Sequence, residues 1–127
     1  SYNAAYDDVR VLTDPAKYWA PLFEKYKFAS VFENHVHLYK KTFPIVNDTI
    51  QPEGQGVVYF GDGNWGISPN HCLESGNWNV TGLLEVYNTE NHIWLINITK
   101  EILSHYAINR EGTIFDKIYN MNVTNYI

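Results

Sequence analysis

The sequence is organised around the stretch Val31-Phe32-Glu33-Asn34-His35-Val36-His37-Leu38-Tyr39-Lys40-Lys41-Thr42, in which an apolar run leads into two histidines one residue apart. Neutral imidazole is the commonest metal ligand that proteins supply. The carboxyl end of a strand is also where open α/β sheets place their ligands. A bare His-x-His pair is more often a surface or structural feature than a metal site. Its position directly after an apolar run is what favours metal binding here.

Length and composition indicate one folded domain over residues 1–127. Of the 127 residues, 45% are hydrophobic and 18% are charged, which is typical of a chain with a packed core rather than a disordered one. The formal charge of −5 disfavours nucleic acid as a partner, because that ligand requires a basic face. No apolar run reaches the ~18 residues that a membrane-spanning helix needs, so the sequence predicts no membrane span.

Four Asn-x-Thr sequons favour a secreted glycoprotein with glycans at Asn47, Asn79, Asn97 and Asn122. A chain this rich in asparagine also collects such triplets by chance, and that alternative stays open. Residues 1–5 lack the basic flank and apolar centre of a signal peptide, so a secreted form would have lost its signal or carry it upstream. We expect the protein outside the cell, or in the lumen of the secretory or lysosomal pathway.

Cys72 is the single cysteine of the chain. In an oxidising compartment a lone thiol points to an interchain disulfide. A free buried thiol is an equally common outcome, so the sequence leaves both fates open for Cys72.

Local patterns predict an α/β chain with one helix followed mainly by strands. Asp14-Pro15 has the composition of a helix start, and the helix is expected to end near Lys27. Its apolar stripe, predicted to face the core, comprises Trp19, Leu22, Phe23 and Tyr26. Apolar and β-branched runs predict strands at residues 28–32, 57–60, 83–87, 92–99, 103–109 and 113–119.

The segments between these elements are interpreted as turns and surface connections. Residues 42–55 contain Pro44, Pro52 and Gly54 and are predicted to run over the surface. Gly61-Asp62-Gly63-Asn64-Trp65-Gly66 is interpreted as a turn or a close backbone approach. The remaining histidines (His71, His92 and His105) are interpreted as surface or strand residues without a role in a site.

The order of these segments resembles purple acid phosphatases and the related calcineurin-like metallophosphoesterases, in their carboxyl-terminal part. The resemblance rests on residues 33–44 and on Gly56-Val57-Val58-Tyr59-Phe60-Gly61-Asp62-Gly63-Asn64-Trp65-Gly66. His92-Ile93-Trp94-Leu95 and the hairpin at Arg110-Glu111-Gly112 fall where that family has its closing strands. The resemblance, over residues 19–118, implies the carboxyl-terminal half of an αββα sandwich, with a mixed sheet and closing antiparallel strands.

The resemblance also implies metal-binding roles for the two histidines, because the family builds a dimetal centre from five short motifs. His35 would ligate the divalent metal (zinc, manganese or iron), and His37 the ferric iron. Asn34, which opens the motif, and Tyr39, which follows it, are expected to support those ligands through hydrogen bonds. Lys41 stands where a subset of the family carries arginine, a planar two-pronged donor.

The other motifs of the family, which supply the carboxylates and the tyrosinate, are missing from this sequence. Two neutral nitrogen donors are too few for a pair of hard cations, which favour anionic oxygen.

The first hypothesis is the carboxyl-terminal chain of a two-chain phosphomonoesterase, completed by an amino-terminal chain to which Cys72 offers a covalent link. The alternative is a phosphatase-derived structural or interaction glycoprotein whose histidines are relics. In both cases we expect an uncovered sheet edge, an uncovered apolar face and tight association with another subunit.

Overall fold

The computed structural model describes residues 17–34, 37–62, 64–68, 82–122 and 126, with the backbone alone for residues 119–122. One short helix and nine strands follow one another along these ranges. They are α1 (Ala20–Lys25), β1 (Ser30–Glu33), β2 (Tyr39–Thr42), β3 (Ile45–Val46), β4 (Thr49–Ile50), β5 (Val58–Asp62), β6 (Leu84–Asn88), β7 (His92–Ile98), β8 (Ile102–Asn109) and β9 (Ile114–Asn122).

The helix α1 ends where the sequence predicted. Lys27 has a φ of +52°, and a residue in this left-handed conformation is a common way to stop a helix. Pro21 lies in the first turn, where its missing N–H removes no intrahelical hydrogen bond. The predicted start at Asp14-Pro15 lies outside the described residues.

Three of the four residues in the apolar stripe predicted to face the core are exposed, so that prediction was wrong except for Phe23. Trp19 is 60% exposed, Leu22 49% and Tyr26 64%. The helix instead turns Ala20 and Phe23 towards the sheet, where they pack with Tyr59. Phe23 lies at one margin of the predicted stripe and Ala20 lies beyond it, and a helix of six residues can bury only one narrow face.

A four-stranded mixed sheet forms the centre of the fold, with the strand order β1-β5-β2-β6. β1 runs parallel to β5, whereas β2 runs antiparallel to both β5 and β6. Val58, Tyr59 and Phe60 of β5 are all buried, which is typical of a strand covered on both faces of its sheet. The mixed sheet confirms this part of the predicted fold class.

The strand β2 was not predicted, because Tyr-Lys-Lys-Thr has the composition of a solvated segment. All four of its residues are buried. The ammonium of Lys40 lies 2.5 Å from Glu33 Oε2, and that of Lys41 lies 2.7 Å from Asp116 Oδ2. A buried charge is tolerated when it is paired, so long-range partners allow this polar sequence to occupy an inner strand.

The segment 42–55 is also more structured than the predicted surface connection. Ile45 is fully buried and pairs with Val57 through two backbone hydrogen bonds of 2.9 and 3.0 Å. β3 and β4 form a hairpin whose turn residues, Asn47 and Asp48, have φ values of +48° and +57°. Asparagine and aspartate tolerate that conformation, which two-residue hairpins favour.

β7, β8 and β9 form a separate antiparallel sheet in chain order. Gly112, with a φ of +80°, lies in the predicted turn between β8 and β9. Trp94, Leu103 and Ile118 of this sheet pack against Val58 and Phe60 of the mixed sheet. The helix α1 covers the opposite face of the mixed sheet. The layers are therefore helix, mixed sheet and antiparallel sheet, and the closing antiparallel strands are confirmed.

Candidate functional site

The parallel strands β1 and β5 end at the same edge of the mixed sheet, at Glu33 and Asp62. β2 begins at this edge, where Tyr39 pairs with Asp62, and β6 ends there, where Asn88 pairs with Tyr39. His37 is half-buried and lies two residues before β2. The backbone thus carries His37 to the carboxyl edge of the parallel strands, where open α/β sheets bind ligands.

The predicted ligand set is only partly within the described residues. His35 lies outside them, and Asn34 is exposed directly after β1. Within residues 17–34, 37–62, 64–68 and 82–122, no three His, Cys, Asp or Glu side chains are grouped closely enough to hold a metal. These residues therefore do not fit a complete dimetal centre, which requires several anionic oxygen ligands. The metal-binding roles of His35 and His37 stay predictions.

Asp62 is the carboxylate at the end of β5, on the same edge. Burial raises the pKa of Asp62, and the nearby His92 acts in the opposite direction. A partly desolvated carboxyl group favours either a proton or a neighbouring cation. Asp62 is the one acidic residue of β5, and no ligand role was predicted for it from the sequence.

His92 links the connection between β6 and β7 to this edge through hydrogen bonds. The residue is fully buried, with Nδ1 2.9 Å from the carbonyl oxygen of Glu90 and Nε2 3.0 Å from that of Gly61. The tautomer of the ring decides which carbonyl receives its N–H. Trp94 Nε1 donates a second hydrogen bond to Gly61, at 3.2 Å. His92 is thus a strand histidine, one of the two interpretations made from the sequence, with a tethering role that was not predicted.

Asn64 tethers the same connection from the glycine-rich segment. Its buried Nδ2 donates to the carbonyl oxygens of Thr89 and Glu90, both at 2.9 Å. Gly61 provides the close backbone approach that was predicted for this segment. A Cβ at Gly61 would lie 2.8 Å from the carbonyl oxygen of Leu38, so only glycine fits beside the start of β2.

Tyr39 lies at the start of a buried network between the two sheets. Its hydroxyl donates to Asp116 Oδ2, and its ring packs edge-on against His92 at 4.9 Å. Lys41 Nζ contacts the same Asp116 oxygen at 2.7 Å and Glu85 Oε2 at 3.4 Å. Tyr39 therefore directs its hydroxyl into the sheet interface, and its predicted support of a metal ligand stays untested.

The charges of this network shift two pKa values in opposite directions. Burial raises the pKa of Tyr39, and the carboxylate of Asp116 raises it further. Burial alone would raise the pKa of Asp116, but the hydrogen bonds from Lys41 and Tyr39 outweigh it and lower that pKa. Asp116 is therefore held as an anion between a cation and a phenol. Sequence analysis missed Asp116, although its alternation within β9 with Phe115 and Lys117 placed it on one face of a strand.

The modification sites predicted from the sequence are spread over the surface or lie outside the described residues. Asn47 is exposed in the hairpin turn, and Asn97 is exposed on β7. Asn122 belongs to β9, for which only the backbone is described. Asn79, Cys72 and His71 lie outside the described residues, so the predicted glycans and disulfide stay predictions. The described ranges contain no helix with the length and apolar character that a membrane crossing requires.

Neither a protein-family model nor a curated protein matches the sequence. The structure is similar to that of purple acid phosphatase PPD1 from yellow lupin (Lupinus luteus) seeds, with a TM-score of 0.65. The fold is similar to part of a purple acid phosphatase. The similarity covers 77% of this chain at 18% sequence identity, but only 18% of the lupin chain. It supports the predicted metallophosphoesterase resemblance at the level of fold.

Proposed function

We propose that this chain is the carboxyl-terminal part of a secreted, purple-acid-phosphatase-like phosphomonoesterase with a dimetal centre. In this proposal His35 and His37 are two of the metal ligands. The observation that carries it is the similarity of fold to the lupin enzyme, with a TM-score of 0.65. The position of His37 at the carboxyl edge of β1 and β5 is consistent with that role.

In this proposal further ligands come from outside these 127 residues, because the sequence lacks the other motifs of the family and the described residues include no group of three donors. We propose an amino-terminal metallophosphoesterase chain as the partner that supplies them. Two surfaces support such an association. β1 is one of the two outer strands of the mixed sheet. Parallel strands such as β1 are usually covered by other elements, so its outer side is suited to a partner. The exposed aromatic stripe with Trp19 and Tyr26 adds an apolar surface of the kind found in interfaces.

In this proposal the chain contributes two imidazole ligands from the segment that connects β1 to β2. When bound, iron paired with zinc, manganese or a second iron would supply Lewis-acid activation of a phosphomonoester and of water. The β1–β5 ladder and the close contact of Gly61 with Leu38 fix the backbone on both sides of the motif. His92 and Asn64 fix the neighbouring connection.

Replacing His37 by alanine in the complete assembly is expected to lower metal content and phosphatase activity together. Even residues that only support metal ligands cost ~10–100-fold in affinity or activity, so the loss of a ligand should exceed about 100-fold. Metal analysis and hydrolysis of 4-nitrophenyl phosphate measure the two quantities. His71→Ala serves as the matched control, because the sequence assigns His71 no role in the site.

The assembly itself is tested by intact-mass measurement of the native protein with and without reductant. Two chains that separate only after reduction would support the disulfide at Cys72. A single polypeptide without iron, zinc or manganese would contradict the proposal, as would a His37→Ala assembly with unchanged metal content.

The second candidate function is a non-catalytic interaction subunit of an extracellular assembly. The exposed side chains of Trp19, Leu22 and Tyr26 favour it, because aromatic residues anchor protein interfaces. Under this alternative the native assembly contains a stoichiometric partner but no bound metal. Metal analysis of the assembly therefore separates the two candidates.

A further inference from the structure

β7 is an outer strand of the antiparallel sheet, and it is long and apolar. Its seven residues, His92-Ile93-Trp94-Leu95-Ile96-Asn97-Ile98, include no acidic residue, lysine or arginine. The strand becomes more exposed along its length. The exposed aliphatic side chains are Ile93 (42%), Leu95 (52%), Ile96 (41%) and Ile98 (71%).

Two other outer strands of the larger described sheets carry exposed charged residues. β6 contains Glu85, and β9 contains Lys117. An outer strand offers unpaired backbone groups to any approaching chain, and charged side chains are the usual means of preventing that pairing. β7 therefore requires another means of preventing its pairing with a strand of a second chain.

The strand carries a glycosylation sequon, Asn97-Ile98-Thr99, near its exposed end. In the β7–β8 ladder Leu95 pairs with Tyr106, and Asn97 pairs with Ser104. Side chains two residues apart on a strand share a face, so Asn97 projects on the same side as Leu95, roughly 7 Å away. Asn97 itself is exposed. A group attached there would stand beside the most exposed part of the strand.

We propose that Asn97 carries an N-linked glycan that shields β7 from pairing with a second copy of this chain. The inference rests on the proposed secretory location, because the modification occurs in that pathway. Attachment forms a bond between Asn97 Nδ2 and the anomeric carbon of an oligosaccharide. It breaks the bond of that carbon to a lipid diphosphate carrier and releases one amide proton.

The shielding is steric and depends on the spacing of strands. A strand from a second copy would lie ~4.8 Å from β7, and its side chains would have to occupy the space beside Asn97 and Leu95. A bulky, hydrated glycan at Asn97 fills that space. One glycan thus performs the role that exposed charged side chains perform on β6 and β9.

The test uses the chain secreted from eukaryotic cells, with any subunit that co-purifies. Peptide mass spectrometry is expected to find a glycan at Asn97. Light scattering over a range of concentrations is expected to show that Asn97→Gln strengthens self-association by about tenfold or more, equivalent to ~1.4 kcal/mol. Thr49→Ala is the matched control, because it removes the sequon at Asn47 without replacing a residue of positive φ, and it should leave association unchanged. Leu95→Lys added to Asn97→Gln should return self-association to the level of the glycosylated protein, since it places a charge on the strand.

Several outcomes would overturn the inference. These are an unmodified Asn97 beside modified sequons, an Asn97→Gln protein that associates no more than Thr49→Ala, and association that Leu95→Lys does not reverse. If Asn97→Gln fails to fold, trimming the folded glycoprotein to one sugar per site must produce the same association. Metal content and hydrolysis, measured in the same samples, report separately on the phosphatase proposal.

Discussion

Replacing Asp116 by alanine is expected to lower the free energy of unfolding by about 3–5 kcal/mol, the range measured when one partner of a buried ion pair is removed. The substitution would leave Lys41, which is 4% exposed, with the ionic contact to Glu85 at 3.4 Å. Glu85 is itself 41% exposed, so solvent screens that contact. The hydroxyl of Tyr39 would also lose the acceptor it uses in this structure.

Urea unfolding of the wild type and the variant measures this effect. Combining Asp116→Leu with Lys41→Met should recover most of the loss, because an apolar pair of similar size needs no buried counter-charge. Glu111→Ala is the control, since its pair with Arg110 is exposed and should contribute little. A single Asp116→Ala variant as stable as the wild type would show that the network does not hold the two sheets together.

Acidification from pH 6.5 to pH 4 is expected to remove up to about 3 kcal/mol of stability through His105. His105 is fully buried against the ring of Phe60, at 4.8 Å, and its Nε2 lies 3.1 Å from the hydroxyl of Ser30. Burial lowers the pKa of His105 from 6.5 to about 4. The unfolded chain therefore takes up a proton at a higher pH than the folded chain. The stability that neutral His105 supplies is complete above pH 6.5 and is lost as the pH falls towards 4.

The comparison with His105→Gln isolates this contribution, because glutamine can bond to Ser30 but does not titrate in this range. The variant should be less stable at pH 7 and should lack the added slope between pH 6.5 and 4. The pKa of Asp116 is lowered, so the stability that its carboxylate contributes is lost at still lower pH. The pKa of Asp62 is raised, so its protonation adds stability as the pH falls. Both residues are present in the two proteins. Parallel stability curves for wild type and variant would therefore show that His105 is not the titrating group.

The parts of the fold that the sequence predicted are those specified by local patterns. β7, β8 and β9 were recognised from alternating apolar residues and from the glycine turn between β8 and β9. β2 was missed because its lysines are neutralised by distant partners. The partner of Lys40 is Glu33 on β1, and that of Lys41 is Asp116 on β9. The orientation of α1 likewise depends on which face meets Tyr59, and no spacing within the helix shows that.

The residues of the candidate site likewise divide into those that a local motif indicates and those that depend on distant contacts. The pair His35 and His37 is visible as a short motif, and its place after a strand follows from the local apolar run. His92 and Asn64 are anchored through bonds that span 31 and 26 residues. Nothing in their immediate neighbours distinguishes them from ordinary strand and turn residues.

The strand order predicts which of the two sheets forms first during folding. In the mixed sheet no two neighbouring strands are consecutive in the chain, whereas β7, β8 and β9 are neighbours in chain order. Closing the long loops of the mixed sheet costs entropy before any ladder forms, and such topologies fold slowly. We therefore expect pulsed hydrogen exchange during refolding to protect the amides of β8 before those of β5. In that case the three-stranded meander serves as the template on which the layer bearing His37 is assembled, and earlier protection of β5 would exclude this order.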